Sequence, residues 1–374
     1  MRILILYQSP WWNAAAYYTF NLVLSLKRLG YEVTFIAKEK TPIADKMSSI
    51  NVKLVYLNLF ENNPIKFVSN INKVKQIIFD EKINYLIPVS APGHIIVGII
   101  KKIFHIKLPI IKVCLDNVSP TKNILNKYLH NKLTDYFIFP GTSTKIKYDY
   151  FNINNFVILH APIDLKSFID YKPSTETLKR KYQLPEHKLI VSFIGRFSPE
   201  KGLFFLLDII NEVVKKTNRA YFVLSGSEEQ IKYQDVQNKI NELGISENVK
   251  IINKVTDVRE LISITNIGLL SSRYSEYICR IAMEFMSFKV PIVAPRVNVI
   301  PEVVGNEANG FVYEISDFHQ AAEFILKLVN DESLLKQMGN NSQRRIDANY
   351  DVQIFDGKIK DILDTLNKDL DSTK

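Results

Sequence analysis

Ser192-Phe193-Ile194-Gly195-Arg196-Phe197-Ser198-Pro199-Glu200-Lys201-Gly202 is the stretch on which the fold turns. Its apolar start ends a strand that opens at residue 189. Gly195 begins a turn carrying two cations, and an amphipathic helix over 202–216 follows. A strand, a tight turn and a helix start in that order open a βαβ unit. Backbone amides and the helix dipole make such a turn a place for a phosphate. Arg196 can grip that group through paired N–H donors, and Lys201 adds a mobile point charge. Taken alone, the segment is also readable as an ordinary basic turn.

The same alternation extends both ways. Downstream, short apolar runs at 220–224, 249–252, 268–270, 291–294 and 311–313 read as strands, helical spacing marks 233–243, 258–265 and 280–287, and the chain is mostly helical from Phe318. Upstream, strands are predicted at 3–6, 32–37, 52–56, 85–89, 110–114, 136–139 and 157–160. Helices are predicted at 15–28, ended by Gly30, and at 65–79. Such alternation gives parallel sheets covered on both faces. Its restart near residue 189, with no shorter repeat, predicts two doubly wound Rossmann-like domains, 1–170 and 171–352. Asp164, Pro173, Ser174 and Thr175 interrupt the periodicity and place the linker within 162–182. A ligand is then expected between the domains, beyond the carboxyl ends of the strands.

A length of 374 residues suits two domains, and 47% hydrophobic content excludes a disordered or collagen-like chain. Two cysteines, Cys114 and Cys279, cannot build a disulfide framework or a zinc site alone, and six histidines show no ligand spacing. A reducing, cytoplasmic location is the expectation. No apolar run reaches the ~18 residues of a membrane span, and Met1 to Leu6 reads as a first strand rather than a secretory leader. The net charge of +9 is uneven: residues 1–170 hold 21 basic against 11 acidic side chains, the remainder 27 against 28. The basic half suits an anionic membrane or a phosphorylated substrate, although a Lys-, Ile- and Asn-rich composition produces the same excess without a partner. No nucleic-acid recognition motif accompanies the charge.

Ser275-Glu276-Tyr277-Ile278-Cys279-Arg280-Ile281-Ala282-Met283-Glu284-Phe285-Met286 is the second informative stretch. Glu276 lies before a predicted helix and Glu284 within it, with seven residues between them. Spacing alone leaves both free to be solvated surface charges. In the first half, Trp11-Trp12 follows the first strand and can stack on a sugar, touch lipid or pack in the core. Lys101-Lys102-Ile103-Phe104-His105-Ile106-Lys107 mixes cations with bulky apolar groups, as peripheral membrane contacts and lysine-ended helices both do.

Three segments carry a family resemblance: Gly195-Arg196-x4-Lys201-Gly202, the Glu276/Glu284 pair, and Ala294-Pro295-Arg296-Val297-Asn298-Val299-Ile300-Pro301-Glu302-Val303-Val304. In this order they resemble the retaining glycosyltransferases of family 4, which have the GT-B fold. Asn309-Gly310-Phe311 and Leu224-Ser225-Gly226-Ser227 are similar to further turns of that family, and the likeness is strongest over about 187–315. It implies two Rossmann-like domains facing across a cleft, with a last helix (about 353–374) crossing back to the first domain. Residues 1–170 would take the acceptor and 171–352 the nucleotide sugar.

Residue by residue, the resemblance implies that Arg196 and Lys201 hold the donor diphosphate and neutralise the leaving group. Glu284 would bind the ribose and Glu276 the transferred sugar. Amides at Ile278 and Cys279 would approach the phosphates, and the base would lie near Asn253, Lys254 and Val255. No metal is required in this scheme. The family usually has Gly-Phe-Gly after the first glutamate, where Tyr277-Ile278-Cys279 stands here, and its first-domain His-Asp is Leu115-Asp116. His94 and Asp116 are the candidates on the acceptor side, with Trp11 and Trp12. The activity implied is sugar transfer to a glycan or lipid-linked acceptor with retention of configuration, in capsule or lipopolysaccharide synthesis at the inner membrane face. A sugar-nucleotide epimerase of the same fold, or a non-catalytic nucleotide-sugar-binding protein, would share these features.

Overall fold

The computed structural model describes residues 1–116, 118–274 and 276–372, with side chains to residue 368. Asn117, Ser275, Thr373 and Lys374 lie outside the described residues. Two compact units form: Met1–Pro162 together with Val352–Lys374, and Ile163–Asp351. The sequence reading set the corresponding divisions at 170 and 352.

In the first unit β1 (Arg2–Leu6), β2 (Glu32–Ala37), β3 (Lys53–Tyr56) and β4 (Tyr85–Pro88) pair in parallel in the order β3-β2-β1-β4. β5 (Ile111–Val113), β6 (Tyr136–Phe139) and β7 (Phe156–Ile158) form a second parallel sheet, joined to β4 through the bridge Leu86 to Ile110. Ile3 to Leu6 are wholly buried because helices cover both faces, which is why the strand is continuously apolar. The helix Val352–Ser372 packs on the helix Ala14–Arg28 of the same unit. Arg28 donates from Nε and Nη2 to the Asp356 carboxylate at 2.6 and 2.7 Å, and the Phe355 ring meets Tyr18 edge-on at 5.6 Å.

The second unit is one six-stranded parallel sheet. Its strands are β8 (Leu189–Ile194), β9 (Ala220–Gly226), β10 (Val249–Asn253), β11 (Ile267–Leu269), β12 (Ile292–Pro295) and β13 (Gly310–Tyr313), in the order β10-β9-β8-β11-β12-β13. This is the doubly wound order, with the switch point between β8 and β11. Gly226 lets the ends of β8 and β9 meet, since a Cβ there would sit 1.6 Å from the Gly195 carbonyl oxygen.

The expected linker is structured. Helices Leu165–Ile169 and Thr175–Lys181 occupy it, the second capped by Ser174, whose Oγ accepts from the Thr177 amide at 3.3 Å. Ser174 and Thr175 interrupt the apolar periodicity because they begin a helix. Leu178 and Leu184 bury against Ile190 of β8.

Candidate functional site

At a switch point, the connections leaving two neighbouring parallel strands run to opposite faces and leave a crevice at the carboxyl edge. In the second unit the segments after β8 and β11 fill those two positions. Two hydrogen bonds tie them: the Arg273 amide donates to the Glu200 carbonyl at 2.8 Å, and Ser271 Oγ to the Lys201 carbonyl at 2.7 Å. Gly202 takes φ +64°, and a Cβ on it would lie 2.3 Å from the Ser271 carbonyl oxygen. Only glycine satisfies both that conformation and that approach.

The join positions Lys201 against Glu276. Lys201 Nζ donates to the Glu276 carboxylate, and Ser272 Oγ donates to the same Oε1 at 2.7 Å while lying 3.4 Å from Nζ. Asn298, in the turn after β12, fixes the backbone beneath: its Oδ1 accepts from the Glu276 amide at 3.1 Å, and the Val299 amide donates to the Glu276 carbonyl at 3.0 Å. Glu276 is buried, so it is not the solvated charge that spacing allowed. Burial is also the state of Glu284, inside the helix Arg280–Ser287 among Ala282, Met283 and Phe285. Arg280 Nε lies 2.6 Å from Glu284 Oε1 and pairs with it. Burial pushes the Glu284 carboxyl above its ordinary range, with Arg280 opposing.

Cys279 caps this helix with φ 53° and ψ 46°, the left-handed region where the family resemblance puts glycine. The thiol is buried and pushed well up by desolvation, with Glu276 adding to the rise, so it is no nucleophile at neutral pH. The Ile278 side chain is buried as well. What these two positions can offer a ligand is therefore main chain.

The geometry rearranges the expected foursome. Lys201 and Glu276 come together, whereas Arg196 is exposed and held by Glu200 at 3.0 Å and Glu229 at 2.8 Å. Glu284 has Arg280 as its cation. Lys254 is exposed, and Val255 packs beside Leu178 and Ile264. Ser272, Asn298 and Arg280 escaped the sequence reading. Arg280 alone left a usable sign there, its i,i+4 spacing to Glu284.

In the first unit Trp11 is exposed, and Trp12 is half-buried edge-on to Phe20 with Lys46 Nζ 4.7 Å above its ring. His94, in the first turn of the helix Ala91–Ile103, is buried. Its Nε2 lies 2.7 Å from Thr134 Oγ1. Because that hydroxyl donates to the Leu129 carbonyl at 2.9 Å, Nε2 carries the proton. Burial first, then the Lys112 cation and His130, hold the imidazole well below its ordinary pKa and keep it neutral. Asp116 accepts from the buried Lys112 Nζ at 3.2 Å, and that ammonium also donates to the Val89 carbonyl at 2.6 Å. Lys112 likewise went unread in the sequence. Among the described residues no three His, Cys, Asp or Glu side chains gather as a metal site, and no helix is long and apolar enough to cross a membrane.

Residues 174–345, which span both switch-point segments, match the family model of the glycosyl transferases group 1. This stretch is similar to the group 1 glycosyl transferases. CapM, a capsular polysaccharide biosynthesis glycosyltransferase of Staphylococcus aureus, is 26% identical over 208 residues, covering 54% of this chain and 53% of that protein. The chain thus spans about half the length of the curated relatives it matches. Among solved structures, a glycosyltransferase from Rickettsia africae superposes with a TM-score of 0.82 at 16% identity, over 97% of this chain and 98% of that one. HepE of Anabaena, in complex with UDP and glucose, gives 0.80 at 17% identity, over 98% and 100%. The fold is the GT-B fold of glycosyltransferases. Lys201, Glu276 and Glu284 all lie inside the stretch that matches this family model.

Proposed function

We propose that the chain transfers a sugar from a nucleotide diphosphate sugar to a glycan or lipid-linked acceptor, with retention of configuration, in cell-surface polysaccharide or lipopolysaccharide synthesis. The second unit binds the donor, and the first, more basic unit takes the acceptor on the cytoplasmic face of a membrane. The observation that carries this reading is the Lys201–Glu276–Ser272 cluster at the switch point, beside the start of the helix Arg280–Ser287. CapM's role and the UDP and glucose held by HepE agree with it.

Breaking the anomeric C–O bond leaves a nucleoside diphosphate on which negative charge grows, and an electron-poor sugar. Lys201 is held next to the helix start by Glu276 and Ser272, so a turn of its side chain brings the charge onto the leaving group; loss of one such donor costs roughly 10²–10³ in rate. Arg196, mobile on its two surface acids, swings to the diphosphate when a stronger anion displaces them. Glu276 accepts from sugar hydroxyls through the lone pairs that Lys201 and Ser272 leave open. Glu284, buried with its Oε1 facing Arg280 Nε at 2.6 Å, accepts from the ribose. The departing phosphate oxygen takes the acceptor's proton, so no protein base is assigned, and no metal is required.

Thermal-shift measurement with UDP, GDP, ADP and CMP tests the reading, because a bound nucleotide stabilises by RT ln(1 + [L]/Kd). Wild type should shift with one of them, and Arg196→Ala, Lys201→Ala and Glu284→Ala should not. Equal shifts in all three variants would remove the site assignment. A donor converted without any acceptor would identify an epimerase, and binding without turnover or hydrolysis a non-catalytic binder. Chelation by EDTA should leave the rate unchanged.

A further inference from the structure

Among the described residues β3 is an outer strand of the first unit's four-stranded sheet, paired on one side with β2. The Leu57 amide, just past its end, donates to the Ala37 carbonyl of β2 at 3.0 Å. Backbone groups alternate along a strand, so Val55 turns its N–H and C=O to β2 as well, whereas Leu54 and Tyr56 turn theirs outward. The devices that usually blunt such an edge are weak here. The strand has no proline, and its one charge, Lys53, is drawn to the Glu81 carboxylate. Tyr56 is 50% exposed.

A groove of about 300 Å³ runs beside this edge. The helix Pro64–Asp80 supplies one wall through Lys73, Gln76, Ile77 and Asp80, which recur at the spacing of a single helix face. Val55 and Leu57 supply the strand wall, and Val55 and Ile77 pack against the same core beneath. Lys73 and Asp80 are exposed, and among the described residues neither is engaged in an ion pair.

We propose that this edge pairs with a second copy of itself, β3 running antiparallel to its counterpart about a two-fold axis through Val55, to make a dimer of the chain. The surface is self-complementary about that axis, as a closed two-fold interface requires. Leu54 of one copy and Tyr56 of the other exchange backbone hydrogen bonds through the groups that face outward, and their aliphatic and aromatic side chains lie opposite each other. The groove sets Val55 level with Gln76 and Ile77, so the same axis passes between those two helix residues. Lys73 of each copy then faces Asp80 of the other. Charge decides the occupant. Lys53, Lys73, Asp80 and Glu81 balance one another in a half that holds 21 basic against 11 acidic side chains. Two copies therefore meet here without repulsion, and a polyanion finds no net attraction. The pairing stands apart from the transfer reading, and its test uses no nucleotide.

The experiment is sedimentation equilibrium of the full chain from low to high micromolar concentration, with amide hydrogen exchange followed across residues 53–57 in the same samples. Two short strands and one helix face make a small interface, so a reversible dimer in the micromolar range is expected. Protection of the Leu54 and Tyr56 amides should rise with the dimer fraction, while the Val55 and Leu57 amides, already turned to β2, should change little. Lys73→Glu sets like charges opposite each other twice and should weaken the dimer about tenfold or more. Adding Asp80→Lys to that variant reverses both partners and should restore it, which a merely structural effect of either exposed substitution would not do. The proposal is overturned if the chain stays monomeric at the highest concentration. A dimer that leaves the Leu54 and Tyr56 amides unprotected and ignores Lys73→Glu overturns it too. So does a monomer with those two amides protected, which would assign the edge to a segment of the chain itself.

Discussion

Separating Lys201 from Glu276 should cost stability and donor binding by different amounts, and a double-mutant cycle tells the two apart. The side chains are only 16% and 9% exposed, so each charge depends on the other for solvation. Lys201→Met leaves the Glu276 carboxylate with Ser272 Oγ at 2.7 Å, and Glu276→Gln leaves the ammonium with that hydroxyl at 3.4 Å. Breaking a buried pair by removing one partner costs about 3 kcal/mol, since an uncompensated charge stays behind. In a unit of this size that corresponds to a fall of about 6–12 °C in melting temperature. The double variant Lys201→Met with Glu276→Gln removes both charges and should recover most of the loss. Donor binding should not recover. Scanning calorimetry supplies the stabilities and titration with the responsive nucleoside diphosphate the affinities. If the double variant binds nucleotide as wild type does while the singles are destabilised, the pair is only structural and its proposed role in transfer is wrong.

Glu284→Gln should leave the unliganded protein as stable as wild type at neutral pH, or more so, while abolishing the nucleotide-induced thermal shift. Burial raises that carboxyl, so keeping it ionised above its ordinary pKa costs folding energy that the amide does not incur. Gly202→Ala should lose at least about 2 kcal/mol in urea unfolding, from left-handed strain plus the close Ser271 carbonyl. In the first unit, burial lowers His130 to about 4, its hydrogen bond to the Asn126 carbonyl opposing. The unfolded chain therefore binds protons that the folded chain refuses, and stability should fall by up to about 3 kcal/mol as pH drops from 6.5 to 4. His130→Phe, which keeps the stack on Phe151, should flatten that decline in a pH series of urea midpoints.

Strand–turn–helix order was legible because strands buried on both faces read as unbroken apolar runs: β1, β2 and β8 stand out in the bare sequence. Two such series predicted two doubly wound domains, and the resemblance carried by three motifs implied the GT-B fold. Elements that short capping signals define were missed, such as Thr175–Lys181, whose first residues look like linker chemistry. Within the site, Lys201 and Glu276 could be named, but not that they touch. Their contact depends on the Gly202–Ser271 backbone approach, which joins residues about 70 positions apart. Arg196 shows the converse: the turn that singles it out is readable in the sequence, whereas the ion pairs with Glu200 and Glu229 that hold it at the surface are not. Lys112 stayed invisible because a lysine in a strand reads as exposed; only the fold places the Val89 carbonyl and Asp116 around its ammonium.

A crystal soaked with the nucleoside diphosphate that raises the melting temperature gives the most direct test of the donor site. The account predicts the diphosphate at the carboxyl edge of β8 and β11, with Lys201 and Arg196 turned onto its oxygens and the ribose on Glu284. A nucleotide bound elsewhere, with Lys201 still closed on Glu276 and Arg196 still on Glu200 and Glu229, would contradict it.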